Sequence, residues 1–396
     1  MNDIWRVLWP SMAYDGRAIV FERDFGIWRY DIAKDAATEV PITLRGVVAE
    51  ASAKRQTLSQ GFRALALSPD TRKAAFIARG ELFVVGARDG GEATRVTESA
   101  ETEDTPEWLP DSRRMVFASN TGNAWHLRLQ DVSTRSEREL TRGAGCDVAP
   151  RVSPDNKLVA NQRNGRELRV VNVDGTDDRR LVESDFSEAP FASSGAVAWA
   201  PDSRWLAFVK SDARGFSNVW VTSLDGGAPR QVSFGSDANV GDVLWSPDGT
   251  YLLYRSAMRT ETPRIVRVDL QPRTPRFRED QFRDLFGLTS PVTPTVAPVV
   301  PGASGAPAAA PRDSAGAAAP RRPVSVVLDN IRLGASMLST QGLGVGDMAI
   351  SPDGRTLLFA GSAGGQQQIF ASSLDELARE STLRALTTSQ GNKSEL

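Results

Sequence analysis

Short apolar runs rich in β-branched and aromatic residues recur along the whole chain, each bounded by polar turn residues. One set comprises Ala18–Phe21, Ala74–Ile77, Met115–Ala118, Trp205–Phe208, Tyr251–Tyr254 and Leu357–Ala360. A second set follows at a nearly constant offset, as Ile27–Tyr30, Leu82–Val85, Ala124–Leu127, Leu168–Val171, Val219–Thr222, Ile265–Val268 and Ile369–Ser372. Runs of this length and composition predict β-strands rather than helices. Innermost strands are expected just before the first set, as in Gly195–Trp199 and Gly241–Trp245. Outer strands are expected at Glu39–Ile42, Thr94–Thr97, Arg138–Thr141, Arg180–Val182 and Arg230–Ser233.

What separates the innermost strand from the next is a Pro-Asp turn. It reads Ser246-Pro247-Asp248-Gly249 and Ser351-Pro352-Asp353-Gly354 in full, with variants at Ser68-Pro69-Asp70, Leu109-Pro110-Asp111, Ser153-Pro154-Asp155 and Ala200-Pro201-Asp202, and a degenerate Tyr14-Asp15-Gly16. Proline sets φ, aspartate accepts a nearby N–H, and glycine tolerates the positive φ that closes the loop. From Asp70 to Asp248 the aspartates lie 41, 44, 47 and 46 residues apart, the period of a propeller blade. The pattern predicts an all-β chain: a seven-bladed β-propeller of four-stranded antiparallel blades.

One unit is interrupted. Residues 1–270 hold blades one to most of six, and 271–290 contain Phe282, Leu285 and Phe286 at helical spacing, read as a short docking helix. From Pro291 to Pro323, 8 prolines, 10 alanines and 3 glycines make up 21 of 33 residues, a Pro/Ala-rich composition that predicts a disordered loop. Residues 324–396 then complete the fold: Val324–Leu328 as the outer strand of blade six, and blade seven with a helical cap at Leu374–Ala378.

Composition narrows the partners. With 47 basic against 49 acidic residues the formal charge is −2, which argues against nucleic acid. No run is long enough to span a bilayer, and the N-terminus lacks the basic and apolar regions of a secretory signal. A complete chain would be cytoplasmic; one lacking a signal-bearing N-terminal part would be exported or periplasmic.

Candidate chemistry is sparse. The single histidine, His126, falls at a strand position held elsewhere by Arg29, Val84, Val170, Val221, Arg267 and Ala371, and a metal pair has no second histidine. A serine–histidine–acid triad would have to be built around that strand. The lone Cys146 reads as a small, half-buried residue. The regular array Asp70, Asp111, Asp155, Asp202, Asp248 and Asp353 reads as turn formers, the cluster from Arg273 to Arg283 as a solvated or docking face, and Trp28, Trp125, Trp199, Trp205, Trp220 and Trp245 as packing between blades. No catalytic, cofactor-binding or metal-binding residue is nominated, no cofactor is expected, and the ligand-binding residues stay unassigned.

These repeats resemble the Pro-Asp-type propeller units of the TolB-like class. A closer resemblance is to the second, seven-bladed propeller of tricorn-type serine peptidases, carried by Ala18–Glu22 with Gly26–Asp31, by Pro275–Phe286, and by Ser372–Glu380 followed by Leu386–Ser389. It covers nearly the whole chain, with the plain run Gly334-Ala335-Ser336 standing where relatives are more basic. The resemblance implies a module without catalysis of its own that guides or filters peptides or unfolded polypeptides. The peptidase and PDZ-like domains would belong to the same parent chain, of which this would be an internal piece. The family's catalytic serine and histidine have no matching positions here. A stand-alone TolB-like protein–protein interaction scaffold is the alternative reading, and homo-oligomerisation stays open.

Overall fold

Each turn is built as its residues require. Ser68 Oγ donates to Asp70 Oδ1 (2.5 Å) and accepts the Lys73 N–H (2.9 Å), while Asp70 Oδ1 also accepts the Arg72 N–H (3.0 Å). Asp111, Asp155, Asp202, Asp248 and Asp353 likewise accept the N–H two residues on, at 2.8, 3.2, 3.0, 3.0 and 3.0 Å. The aspartates are turn formers, each engaged by its own loop. The fourth turn position is left-handed even without glycine: φ is 59° at Thr71, 55° at Ser112, 66° at Asn156 and 61° at Ser203. Two of these side chains have a use. Ser112 Oγ accepts the Asp70 N–H (2.9 Å) and Ser203 Oγ the Asp155 N–H (3.0 Å), each tying one turn to the turn a blade earlier.

The computed structural model describes residues 7–23, 26–42, 57–58, 60–99, 101–120, 122, 124–187, 192–212, 214–235, 238–258, 261–273, 323–363, 365–375, 383–391 and 393. Among them the strands form seven four-stranded antiparallel sheets, each ordered in space as in sequence. The protein is a seven-bladed β-propeller by fold class. By internal contacts the chain divides into two compact units, Met1–Gly61 holding blade one and Phe62–Leu396 holding blades two to seven.

Within the second unit, alternation sends successive side chains to opposite neighbours. Leu206 and Phe208 of blade five pack toward blade four with Val170, Val182 and Trp199, whereas Ala207 packs toward blade six with Val243 and Leu252. One apolar cluster fills each junction between consecutive blades from two to seven. A fully buried Phe208 or Phe117 contributes roughly 2–3 kcal/mol of transfer free energy to such a junction.

Several expected elements end or lie elsewhere. The outer strands stop at Arg95, Glu139 and Gln231 because the hydroxyl two residues beyond takes the place of a backbone partner. Thr97 accepts from Leu82 N (3.0 Å), Thr141 from Leu127 N (2.9 Å) and Ser233 from Val219 N (2.8 Å). In blade one the outer strand is Ala36–Glu39, and pairing stops at Val40, since Pro41 has no N–H to give. Val324–Leu328 is not the outer strand of blade six; Ala335–Leu338 is, entered through a 3-10 turn at Ile331–Gly334. The Val324 segment is extended but lies over the junction of blades five and six, where Val324, Val326 and Leu328 pack on the apolar cluster. Leu374 and Asp375 are not helical. The rest of that expected cap, the docking helix and nearly all of the Pro/Ala-rich loop lie outside the described residues.

Candidate functional site

The innermost strands of blades two to seven are neighbours in order, so their free edges line the axial side of the unit. In blades two, three, four, six and seven their ladders are broken by a bulge about four residues before the turn. Ala64, Thr105, Ala149 and Asp242 there have φ of 52°, 46°, 52° and 43°, as does Trp9 of blade one at 51°. Bulges of this kind re-aim side chains out of the sheet. Pro10, Pro106 and Pro150, each directly after the bulge residue, were the available sequence signal.

Beside these bulges sits a cluster of charges of both signs. The Glu107 carboxylate of blade three accepts the Val152 N–H of blade four (3.0 Å) and lies 3.7 Å from Arg151 Nη1; burial pushes its pKa up, opposed by Arg151. Arg151 Nε donates to Val197 O of blade five (3.3 Å). Asp242 of blade six pairs with Arg255 Nε (3.0 Å), and burial again raises its pKa, with Asp347 of blade seven reinforcing and both Arg255 and Arg151 opposing. Gly195 is required at the entry to blade five, because a Cβ there would overlap Asp242 Oδ1. Glu107, Arg151, Asp242 and Arg255 keep a fifth to a third of their side chains exposed. Arg151, Asp242 and Arg255 can donate to and accept from a ligand, whereas Glu107 Oε2 is shut off from solvent.

Tryptophans occupy the same inner edge. Trp108, Trp199 and Trp245 donate their indole N–H to Ala66 O (3.1 Å), Arg151 O (2.8 Å) and Ala198 O (3.1 Å), each on the innermost strand of the preceding blade. Trp199 and Trp245 were expected between blades, as were Trp125, Trp205 and Trp220, and all five pack in junction clusters. Trp108 escaped notice in the sequence although it shares the position of Trp199 and Trp245 directly before the turn. Trp28 belongs to no such cluster and carries the Arg23 guanidinium over its ring at 4.9 Å.

His126 stands in one cross-strand row with Ser119 and Glu103. The row has the residue types of a hydrolytic triad but not its connections: Ser119 Oγ donates to Glu101 (2.7 Å), and His126 Nδ1 has no partner among the described residues. All three are buried. Burial lifts the Glu103 carboxyl to about 7; the Ser119 and Ser99 hydroxyls oppose the shift, and the Glu101 and Glu137 carboxylates add to it. Cys146 is half-buried beside the junction of blades three and four. Among the described residues no group of three or more His, Cys, Asp or Glu could hold a metal ion, and no helix is long and apolar enough to cross a membrane.

Four-stranded antiparallel blades, each with a Pro-Asp turn between its first two strands and a polar axial edge, define a β-propeller. The chain belongs to the TolB β-propeller domain family, whose sequence profile matches residues 81–291. It is 24% identical over 245 residues to a protein of Sulfurisphaera tokodaii designated a tricorn-like protease C-terminal subunit, a match covering 61% of this chain and 27% of that protein. It is also 24% identical over 244 residues to the tricorn protease homolog of Saccharolobus solfataricus, covering 61% and 21%. The matched part therefore spans about a quarter of those relatives. Among solved structures, oligogalacturonate lyase from Vibrio parahaemolyticus superposes with a TM-score of 0.54 at 11% identity, over 95% of this chain and 93% of that one, a likeness of fold alone.

Proposed function

We propose that this chain is the polypeptide-guiding propeller of a tricorn-like serine peptidase, with cleavage carried out by a peptidase domain of the same parent chain, which also carries a PDZ-like domain. The observation that carries this reading is the partly exposed set Arg151, Asp242 and Arg255 on the axial side of three different strands. Acceptors and donors alternate there, so an extended chain can exchange amide contacts as it moves without being held by any one of them. The tricorn-like relatives support the parent-protein context. The family match by itself also suits a TolB-like scaffold that recruits a protein partner through its face or central channel, without binding unstructured peptide.

The two readings separate by labelling. An unstructured peptide bearing a photo-reactive group labels the inner strands of blades three, four and six, and Arg151→Glu lowers that labelling severalfold. Labelling confined to the outer strands overturns the guiding role. So does cleavage of the peptide by the purified chain that a serine-directed reagent abolishes.

A further inference from the structure

The chain carries its own demonstration of how a cleft between two Pro-Asp turns is filled. Between the turns of blades five and six lies the extended segment beginning at Val324. Its first N–H donates to Asp202 Oδ2 (2.7 Å), while Asp202 Oδ1 holds its own turn through the Arg204 N–H (3.0 Å). The Val324 side chain lies against the Gly249 backbone so closely that a Cβ on Gly249 would be 2.5 Å from Val324 Cγ2, with Pro201 Cγ at 3.3 Å on the other side. Val324, Val326 and Leu328 then pack with Trp205 on the apolar cluster of that junction. The segment is latched further on by Val327 N to Leu270 O (2.8 Å) and Gln271 Nε2 to Ser325 O (3.2 Å).

One blade onward the same parts recur around a cleft that no described residue fills. Pro247, Asp248 and Tyr251 stand where Pro201, Asp202 and Trp205 stand, and Gly354 stands where Gly249 does. With Pro352 and Asp353 they line a cavity of about 310 Å³. Asp248 Oδ1 is committed to its turn, accepting from Thr250 N (3.0 Å) and Thr250 Oγ1 (2.8 Å), as Asp202 Oδ1 is. A Cβ at Gly354 would meet Pro247 at 3.6 Å, and nothing among the described residues takes the place of Val324 over it. The floor is rigid: the Arg267 guanidinium lies 3.8 Å from the Tyr251 ring centroid and is itself held by Asp269 at 2.8 Å.

We infer that the cleft between the turns of blades six and seven is a docking site for an extended polypeptide segment of a partner, seated as residues 324–328 are seated one blade earlier. The required chemistry follows from that template. The segment offers one free backbone N–H to Asp248 Oδ2 and a small β-branched side chain to the space over Gly354, beside Pro247 and the edge of the largely buried Tyr251 ring. Selection rests on backbone and on valine-like shape, so the ligand class is a hydrophobic strand rather than a charged peptide. This site is on the turn face and does not depend on the guiding role proposed above.

The test uses the full chain and an acetylated, amidated peptide of its own residues, Pro-Val-Ser-Val-Val-Leu, labelled for fluorescence anisotropy. Binding is expected, with Asp248→Asn weakening it about tenfold; asparagine keeps the turn through its carbonyl oxygen but presents an amide where the N–H must be received. Asp202→Asn should leave the affinity unchanged, whereas N-methylation of the first valine should reduce it about tenfold with no change to the protein. Three results overturn the inference: no binding; equal affinity for the N-methylated peptide; or loss of binding in Asp202→Asn alone, which places the peptide in the blade five–six cleft.

Discussion

Single side chains decide how neighbouring blades are joined. Removing the indole N–H of Trp199 in Trp199→Phe leaves Arg151 O without its donor and opens space at the blade four–five junction, an expected loss of about 1–2 kcal/mol in urea unfolding. Ser203 carries two opposed terms: its φ of 61° favours glycine, while its hydroxyl receives the Asp155 N–H. Ser203→Ala is therefore expected to cost about 1 kcal/mol and Ser203→Gly less, a ranking read from paired unfolding curves. Glu103 makes a prediction in pH. Its carboxyl is raised from the ordinary 4.5 to about 7 in the folded protein, so the neutral form is the one the fold favours. The stability this contributes is complete below pH 4.5 and is lost as pH rises through 7. Glu103→Gln should flatten the fall in Tm between those limits; an unchanged pH profile would show that the carboxyl titrates normally.

Elements depend on polar groups that alternation alone does not reveal. The strands of blade four are tied by Asp147, fully buried, which receives Arg163 through both oxygens (2.8 and 2.9 Å) and Asn161 (2.6 Å). Arg163 reaches on to Asp178, and Asp178 to Arg169. Asp147→Ala leaves a mostly buried guanidinium with one partner fewer, and a loss of about 3 kcal/mol is expected by thermal or urea unfolding. Nothing in the sequence marks Asp147, since its importance comes from Arg163 on the next strand. The strand runs themselves were legible, because short apolar, β-branched runs with turns at fixed intervals admit one reading. Strand ends were less so: Thr97, Thr141 and Ser233 continue a β-rich run, yet their hydroxyls close the ladder early. The run Val324–Leu328 misled for a related reason. β-Branched residues predict an extended backbone, and the backbone is extended, but what it pairs with is a choice made across the blade five–six junction.

At the scale of the whole molecule, the six blades of the second unit cohere junction by junction, and the long excursion within blade six leaves and returns at one place. Leu270 and Gln271 at its start bond to Val327 and Ser325 at its end. Replacing residues 291–319 by a short Gly/Ser linker, with 274–290 kept, is accordingly expected to shift Tm little, because closure entropy varies only logarithmically with loop length; cooperative unfolding lost in calorimetry would contradict this. Blade number, blade order and the turn chemistry were determined by the sequence alone, since they rest on local periodicity and on the backbone demands of Pro, Asp and Gly. The axial charges, the indole bonds between blades and the paired turn clefts were decided by tertiary structure. Their partners lie about one repeat apart in the chain, Trp199 with Arg151 and Asp155 with Ser203, and only the stacking of one blade on the next brings them within bonding distance.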